Sequence, residues 1–280
     1  MSAERIAASL IVLSIVGGLL KIYGSFVGGS KSIFVDALTS AANTLAIVLI
    51  LRFFKVGAVP PDRDHPYGHY RLALGGSISM LMLYSFVAGI VILDLINSFN
   101  KPYTVNYESP LYAAVALIPY GIAIYVGRKG NSILSGYAGF TAVELIESLI
   151  SITSSIGGIA VSYLVDYAGA TILTAYLLRE LTISIRDVVN LVSDIAPDDV
   201  VEKVFNDVTS HGLEVGRVRV RKVLENVYQG DVVVKLPPNT SVEDSHKVAD
   251  IIEKELKSRG IDILVHVEPN SKDAVNPKER

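Results

Sequence analysis

Half of the 280 residues are hydrophobic and the mean hydropathy is +0.44, well above that of a water-soluble globular chain. The formal net charge is only −3 and no Lys/Arg cluster is interleaved with aromatics, which excludes a nucleic-acid partner. Without cysteine there is no disulfide, thiolate ligand or thiol redox centre, so any metal must sit on oxygen or nitrogen.

Crossing a bilayer core of about 30 Å takes roughly 20 mainly apolar residues. Six runs approach that length: Ile6–Phe26, Ile33–Phe53, Leu72–Leu95, Leu111–Val126, Tyr137–Val161 and Tyr167–Leu178. The first begins with Glu4 and Arg5 and lacks a small-x-small cleavage site, so it reads as a retained span rather than a signal peptide. Pro119 predicts a kink in the fourth. The fourth and sixth are short, and the sixth is expected to continue as a helix through Arg179 to Val189, with its charged turns in or below the interface. Cytoplasmic connections carry excess Lys and Arg. Arg52, Lys55, Arg63 and Arg71 mark one such connection and Arg128 and Lys129 another, whereas the intervening loops carry only Lys31 and Lys101, or just Asp166. Both termini are therefore expected inside, and spans rich in Ala, Ile and Val without Cys or Trp suit a prokaryotic plasma membrane.

From Ala196 the pattern becomes that of a water-soluble domain. PDDVVEKVFNDVTSHG predicts a helix beginning after Pro197, with Asp198 and Asp199 at its positive end. EVGRVRVRKVLE and DVVVKL predict strands, SVEDSHKVADIIEKELKSRG a helix closed by Gly260, and IDILVHVEP a final strand. The fold class is a polytopic α-helical membrane protein of six transmembrane helices with a C-terminal cytoplasmic α+β (αββαβ) domain. Its expected parts are residues 1–190, residues 191–270 and a disordered tail, 271–280. The open edge of so small a sheet is better covered by a second copy, which points to a homodimer in the lipid bilayer.

Ionisable residues at membrane depth are costly, so each is a functional hypothesis. Glu144 and Glu147 share a helix face with Ser148 and Ser151, and Asp36, Thr39, Ser40 and Asn43 form a polar stripe on the second span. Facing one another, the stripes would offer an oxygen cage for a hard cation such as Mn²⁺ or Mg²⁺; the plainer reading is interhelical hydrogen bonding. In the loop PPDRDHPYGHYR, Asp62, His65 and His69 can close on a metal, or serve as a capped turn. In the tail, His266 and Glu268 point the same way along the last strand, and His246 on the preceding helix joins them only if that helix packs nearby.

These residues, in this order, resemble the cation diffusion facilitator family of divalent-metal/proton antiporters, over almost the whole chain. DRDHPYGHYR, Asp62 to Arg71, carries the resemblance most specifically, supported by SKSIFVDALTSAAN, by LVSDIAPDD at Leu191 to Asp199 and by ILVHVEP. The resemblance implies a homodimer that exports Zn²⁺, Mn²⁺, Fe²⁺ or similar ions against protons. It places the second-span transport pair on Thr39 and Asn43 and the fifth-span pair on Val143 and Glu147, so that only Glu147 keeps a carboxylate. Asp36 and Glu144, within a turn, are candidates to replace the lost charge. Asp62, His65 and His69 match the family's loop metal pattern; His246, His266 and Glu268 resemble its tail positions, with Lys235 where a further histidine often stands.

No fixed cofactor is implied. The expected cargo is a divalent ion, with Mn, Fe and Mg favoured over Zn because Zn²⁺ prefers imidazole or thiolate. Without histidine the proton must ride on a carboxyl, Glu147 or Glu144. The alternatives are a transport-impaired homologue that acts as a metal sensor or interaction protein, and an exporter of a non-divalent cation. No nucleophile and base pair occurs at plausible depth, so an enzyme is not indicated.

Overall fold

The computed structural model describes residues 3–128, 132–224 and 226–270, with backbone alone for residues 3–5, 7 and 132–140. Lys129 and the tail 271–280, read above as cytoplasmic and as disordered, lie outside the described residues. Long helices come first: α1 (Ala3–Gly28), α2 (Lys31–Gly57), α3 (Leu74–Ser98, after a single 3-10 turn at Tyr70–Ala73), α4 (Glu108–Arg128), α5 (Ser132–Ala160) and α6 (Tyr163–Val192). Among the described residues, five stretches, in α1 to α5, are long and apolar enough to cross a membrane. α6 falls short on that measure because Asp166, Arg179, Glu180, Arg186 and Asp187 interrupt it, but as one unbroken helix it contains both the short sixth run and its charged continuation.

The polarity of this part is inverted relative to a water-soluble bundle. Phe26, Phe86 and Met82 are exposed at 74%, 69% and 69%, while Lys21, Asp36, Ser40, Glu144 and Ser148 are buried. Apolar side chains face outward to where lipid tails would lie, and the polar ones pair with each other inside. Small residues bring α1 against α4: a Cβ on Gly24 would lie 2.8 Å from the Tyr112 Cβ. Pro119 is buried inside α4, which continues through it as one helix.

One carboxylate fastens the start of α2 to the start of α6. Asp166 is fully buried. Its Oδ1 accepts from Ser30 Oγ (2.6 Å) and Ser32 Oγ (2.5 Å), and its Oδ2 from the Lys31 amide (2.7 Å) and Tyr103 Oη (3.0 Å). Because Ser30 is the N-cap of α2, this places an anion on the positive end of that helix. Ser32 Oγ also lies 3.0 Å from the Ser151 carbonyl, which adds α5 to the junction.

The chain separates into one unit ending at Arg186 and another starting at Asp187. The second contains α7 (Asp198–Ser210), β1 (Glu214–Leu224), β2 (Val227–Leu236), α8 (Val242–Ser258) and β3 (Ile261–Pro269), the αββαβ order expected. β2 pairs antiparallel with β1 and parallel with β3, in the sheet order β1-β2-β3. Val200, Val204 and Val208 of α7 and Ile252 and Leu256 of α8 share one core with Val220, Val232, Val234, Ile263 and Val265, so both helices cover one sheet face.

Candidate metal transport site

α2 and α5 bring their polar stripes together, and the acids there divide into two groups. Asp36 belongs to a closed ion pair. Lys21 Nζ of α1 lies 2.8 Å from Asp36 Oδ1 and 2.8 Å from Ser40 Oγ, Ser151 Oγ donates to Asp36 Oδ2 at 2.8 Å, and both charged side chains are fully buried. The ammonium also sits 4.6 Å from the centroid of the Tyr120 ring. A charge buried at this depth persists only when matched, and here each ion matches the other.

Glu144 is held in a second closed set. Asn43 Nδ2 donates to Glu144 Oε1 at 2.6 Å, and Tyr84 Oη of α3 donates to Asn43 Oδ1. The amide is therefore fixed from both ends, with one lone pair of its oxygen left over.

In front of these sets lies a cavity of about 30 Å³, lined by Thr39, Asn43, Tyr84, Glu147, Leu173, Tyr176, Leu177 and Glu180. That is room for a bare ion and a water. Its polar walls are hydroxyls, an amide and carboxylates, with no imidazole among them, a donor set for a hard cation.

Of the sequence candidates, Thr39, Asn43 and Glu147 line this cavity, whereas Asp36 and Glu144 are not among its lining residues. The replacement charge expected from those two goes instead to Lys21 and to the Asn43 amide. Val143 is 40% exposed and is not a wall of the cavity either. The sequence reading passed over Lys21, Tyr84, Tyr176 and Glu180. Lys21 was detectable by the rule applied to the acids, since it is a charge inside an apolar helix; Tyr84 and Tyr176 carry no such mark.

The loop after α2 is a separate site. Asp62 Oδ1 accepts from the amides of His65 (2.7 Å) and Asp64 (3.0 Å), closing a turn. Gly68, at φ +85°, sends its amide to the His65 carbonyl at 3.0 Å and turns the chain so that His69 comes back over His65, the two ring centroids 4.2 Å apart. His69 Nδ1 lies 3.1 Å from the Pro60 carbonyl, which leaves Nε2 facing Asp62 Oδ2 at 3.4 Å. One ligand atom from each of Asp62, His65 and His69 falls within 4.8 Å of the others, a group able to hold a metal ion. The His65 amide, reinforced by the neighbouring His69 and His65 rings, holds the Asp62 carboxyl below its usual range.

The tail residues do not converge in this way. His266 Nε2 and Glu268 Oε1 lie 3.6 Å apart on β3, while His246 faces Asp250 on its own helix at 3.8 Å. Among the described residues no second group of three such ligands comes together. Lys235, beside Glu268 in the β2–β3 register, puts its ammonium 2.8 Å from Glu214.

Residues 7–191 match the cation efflux transmembrane domain, and residues 196–270 match the cation efflux protein cytoplasmic domain. The chain belongs to the cation efflux family. The manganese efflux system protein MneP of Bacillus subtilis (strain 168) is 26% identical over 289 residues, spanning 95% of this chain and 97% of that protein. Manganese efflux system protein MneS of the same organism is 25% identical over 286 residues, 94% and 92% of the two chains. This cation efflux protein is accordingly a multi-pass membrane transporter of the same family, with a metal cation as its class of cargo.

Proposed function

We propose that the protein exports a divalent cation of Mn²⁺-like hardness from the cytoplasm by alternating access, in exchange for protons. The observation that carries this reading is the cavity itself: Thr39, Asn43 and Glu147 converge on it from α2 and α5 with oxygen donors and no imidazole. Glu147 is the carboxylate among the family transport positions and serves both as ligand and as proton carrier, since metal and proton compete for one group. The manganese efflux activity named for MneP and MneS agrees with this choice of ion. Both termini and the αββαβ domain lie in the cytoplasm, a second copy covers the sheet edge to make a homodimer, and the membrane is a prokaryotic plasma membrane. Asp62, His65 and His69 bind a further metal ion that tunes the transporter from the cytoplasmic side.

One observation favours a different role. Thr39, Asn43 and Val143 have lost the acids and histidine of the family positions, as a metal sensor without transport would. Proton flux in proteoliposomes with Mn²⁺, Fe²⁺, Mg²⁺ and Zn²⁺ added singly separates the two. Mn²⁺-driven flux that Glu147→Gln abolishes supports export; no flux with any ion, while metal still binds the loop, replaces it with the sensor.

A further inference from the structure

We propose that Glu180 of α6 is a ligand of the transported ion, closing with Glu147 a site of two carboxylates between helices. This rests on the export reading above and adds to it a residue outside the second- and fifth-span positions. The first argument is charge. A divalent ion in a site walled by Thr39, Asn43 and a single carboxylate would keep a net positive charge inside the membrane, an expensive arrangement. Asp36 cannot relieve it, being matched by Lys21, and Glu144 stands behind Asn43. Glu180 lines the same cavity as Glu147 and brings the walls to two negative charges.

The second argument is depth. Ser30 and Asp166 fasten the starts of α2 and α6 together. At about 1.5 Å per residue, Asn43 and Glu180 both lie roughly 20 Å along their helices from that junction, within a hydrocarbon layer of about 30 Å. The third is the face of α6 that meets the cavity. Leu173, Tyr176, Leu177 and Glu180 follow helical spacing along one stripe, so Glu180 continues a wall already formed. Its present contact, Arg179 Nη1 at 2.7 Å, comes from an adjacent residue whose side chain is 66% exposed, a pairing too weak to hold the carboxylate away from an ion.

The test compares Glu180→Gln, Glu180→Asp, Arg179→Gln and Glu147→Gln in Mn²⁺-driven proton flux, with calorimetric Mn²⁺ binding to each purified protein and its elution profile as a folding control. Glu180→Gln is expected to raise KM and Kd for Mn²⁺ about tenfold to a hundredfold, with Glu180→Asp recovering most of the loss and Arg179→Gln close to wild type. Wild-type flux and binding in Glu180→Gln, beside an inactive Glu147→Gln, overturns the role of Glu180 and leaves the export reading standing. Arg179→Gln reproducing the Glu180→Gln defect also overturns it, since the ion pair would then be what matters. Unchanged flux in Glu147→Gln removes the export reading itself, and this inference with it.

Discussion

The loop triad and the membrane cavity gather oxygen and nitrogen donors in contrary ways. The triad takes its ligands from Asp62, His65 and His69, close neighbours in sequence, and needs a turn capped by Asp62 and a glycine at Gly68. The cavity takes its walls from α2, α3, α5 and α6, and the α2 wall depends on contacts from other helices: Lys21 with Asp36, and Tyr84 and Glu144 with Asn43. Damage to the triad should therefore stay local, while damage to the cavity should spread through the network.

Removing Lys21 tests that contrast most severely. Lys21→Met leaves Asp36 buried and unmatched, a loss of about 3–5 kcal/mol, and should show as a lowered Tm in detergent, while Lys21→Met combined with Asp36→Leu should recover most of it. A Lys21→Met protein as stable as wild type would mean that the pair does not hold the network. Next comes Asn43→Asp, which restores an acid where the family usually has one. Here it replaces a donor to Glu144 by a repelling oxygen, so stability should fall by about 1–3 kcal/mol and transport should weaken. Tighter Mn²⁺ binding at unchanged Tm would instead show that the relay is dispensable.

A smaller effect is expected in the loop. Gly68→Ala forces a side chain onto a left-handed backbone at a cost of about 1–2 kcal/mol. Calorimetry should find metal affinity at the triad several-fold lower, with the maximal rate of Mn²⁺ transport reduced because the tuning ion is lost and its KM unchanged; a change in KM would tie the two sites together. The smallest concerns pH. The Asp62 carboxyl titrates lower in the folded turn than in an unfolded chain, so its contribution is complete above the unfolded value, about 3.9, and fades only as pH falls through the folded one. Exchange protection of the Asp64 and His65 amides should accordingly be flat from about pH 8 to 5 and fail below about pH 4. Earlier loss would show that Asp62 is not what caps the turn.

The same contrast explains what could be read from the residues alone. The spans, the αββαβ order and the grouping of Asp62, His65 and His69 follow from local patterns: apolar run length, periodicities of 3.6 and 2, and spacing within one loop. The division of the acids does not. Asp36 and Glu147 look equivalent along the chain, and only the arrival of Lys21 from another helix separates a matched carboxylate from one lining a cavity. Glu180 falls among the charged turns expected in or below the interface, an expectation drawn from charge along the chain that says nothing of which face of the helix meets the cavity. His246 failed to join His266 and Glu268 for the converse reason: helix-to-strand placement is not encoded in spacing.

Asp166 has a mechanical consequence. Five donors from the start of α2 and from Tyr103 meet on that one carboxylate, and Ser32 extends the junction to α5. While this knot holds, α2 cannot slide lengthwise past α6. Under the alternating access proposed above, the change at the cavity would then be angular, with Asp166 as the pivot and the two helices as the arms of a lever, so that displacement grows toward the ends beyond Asn43 and Glu180.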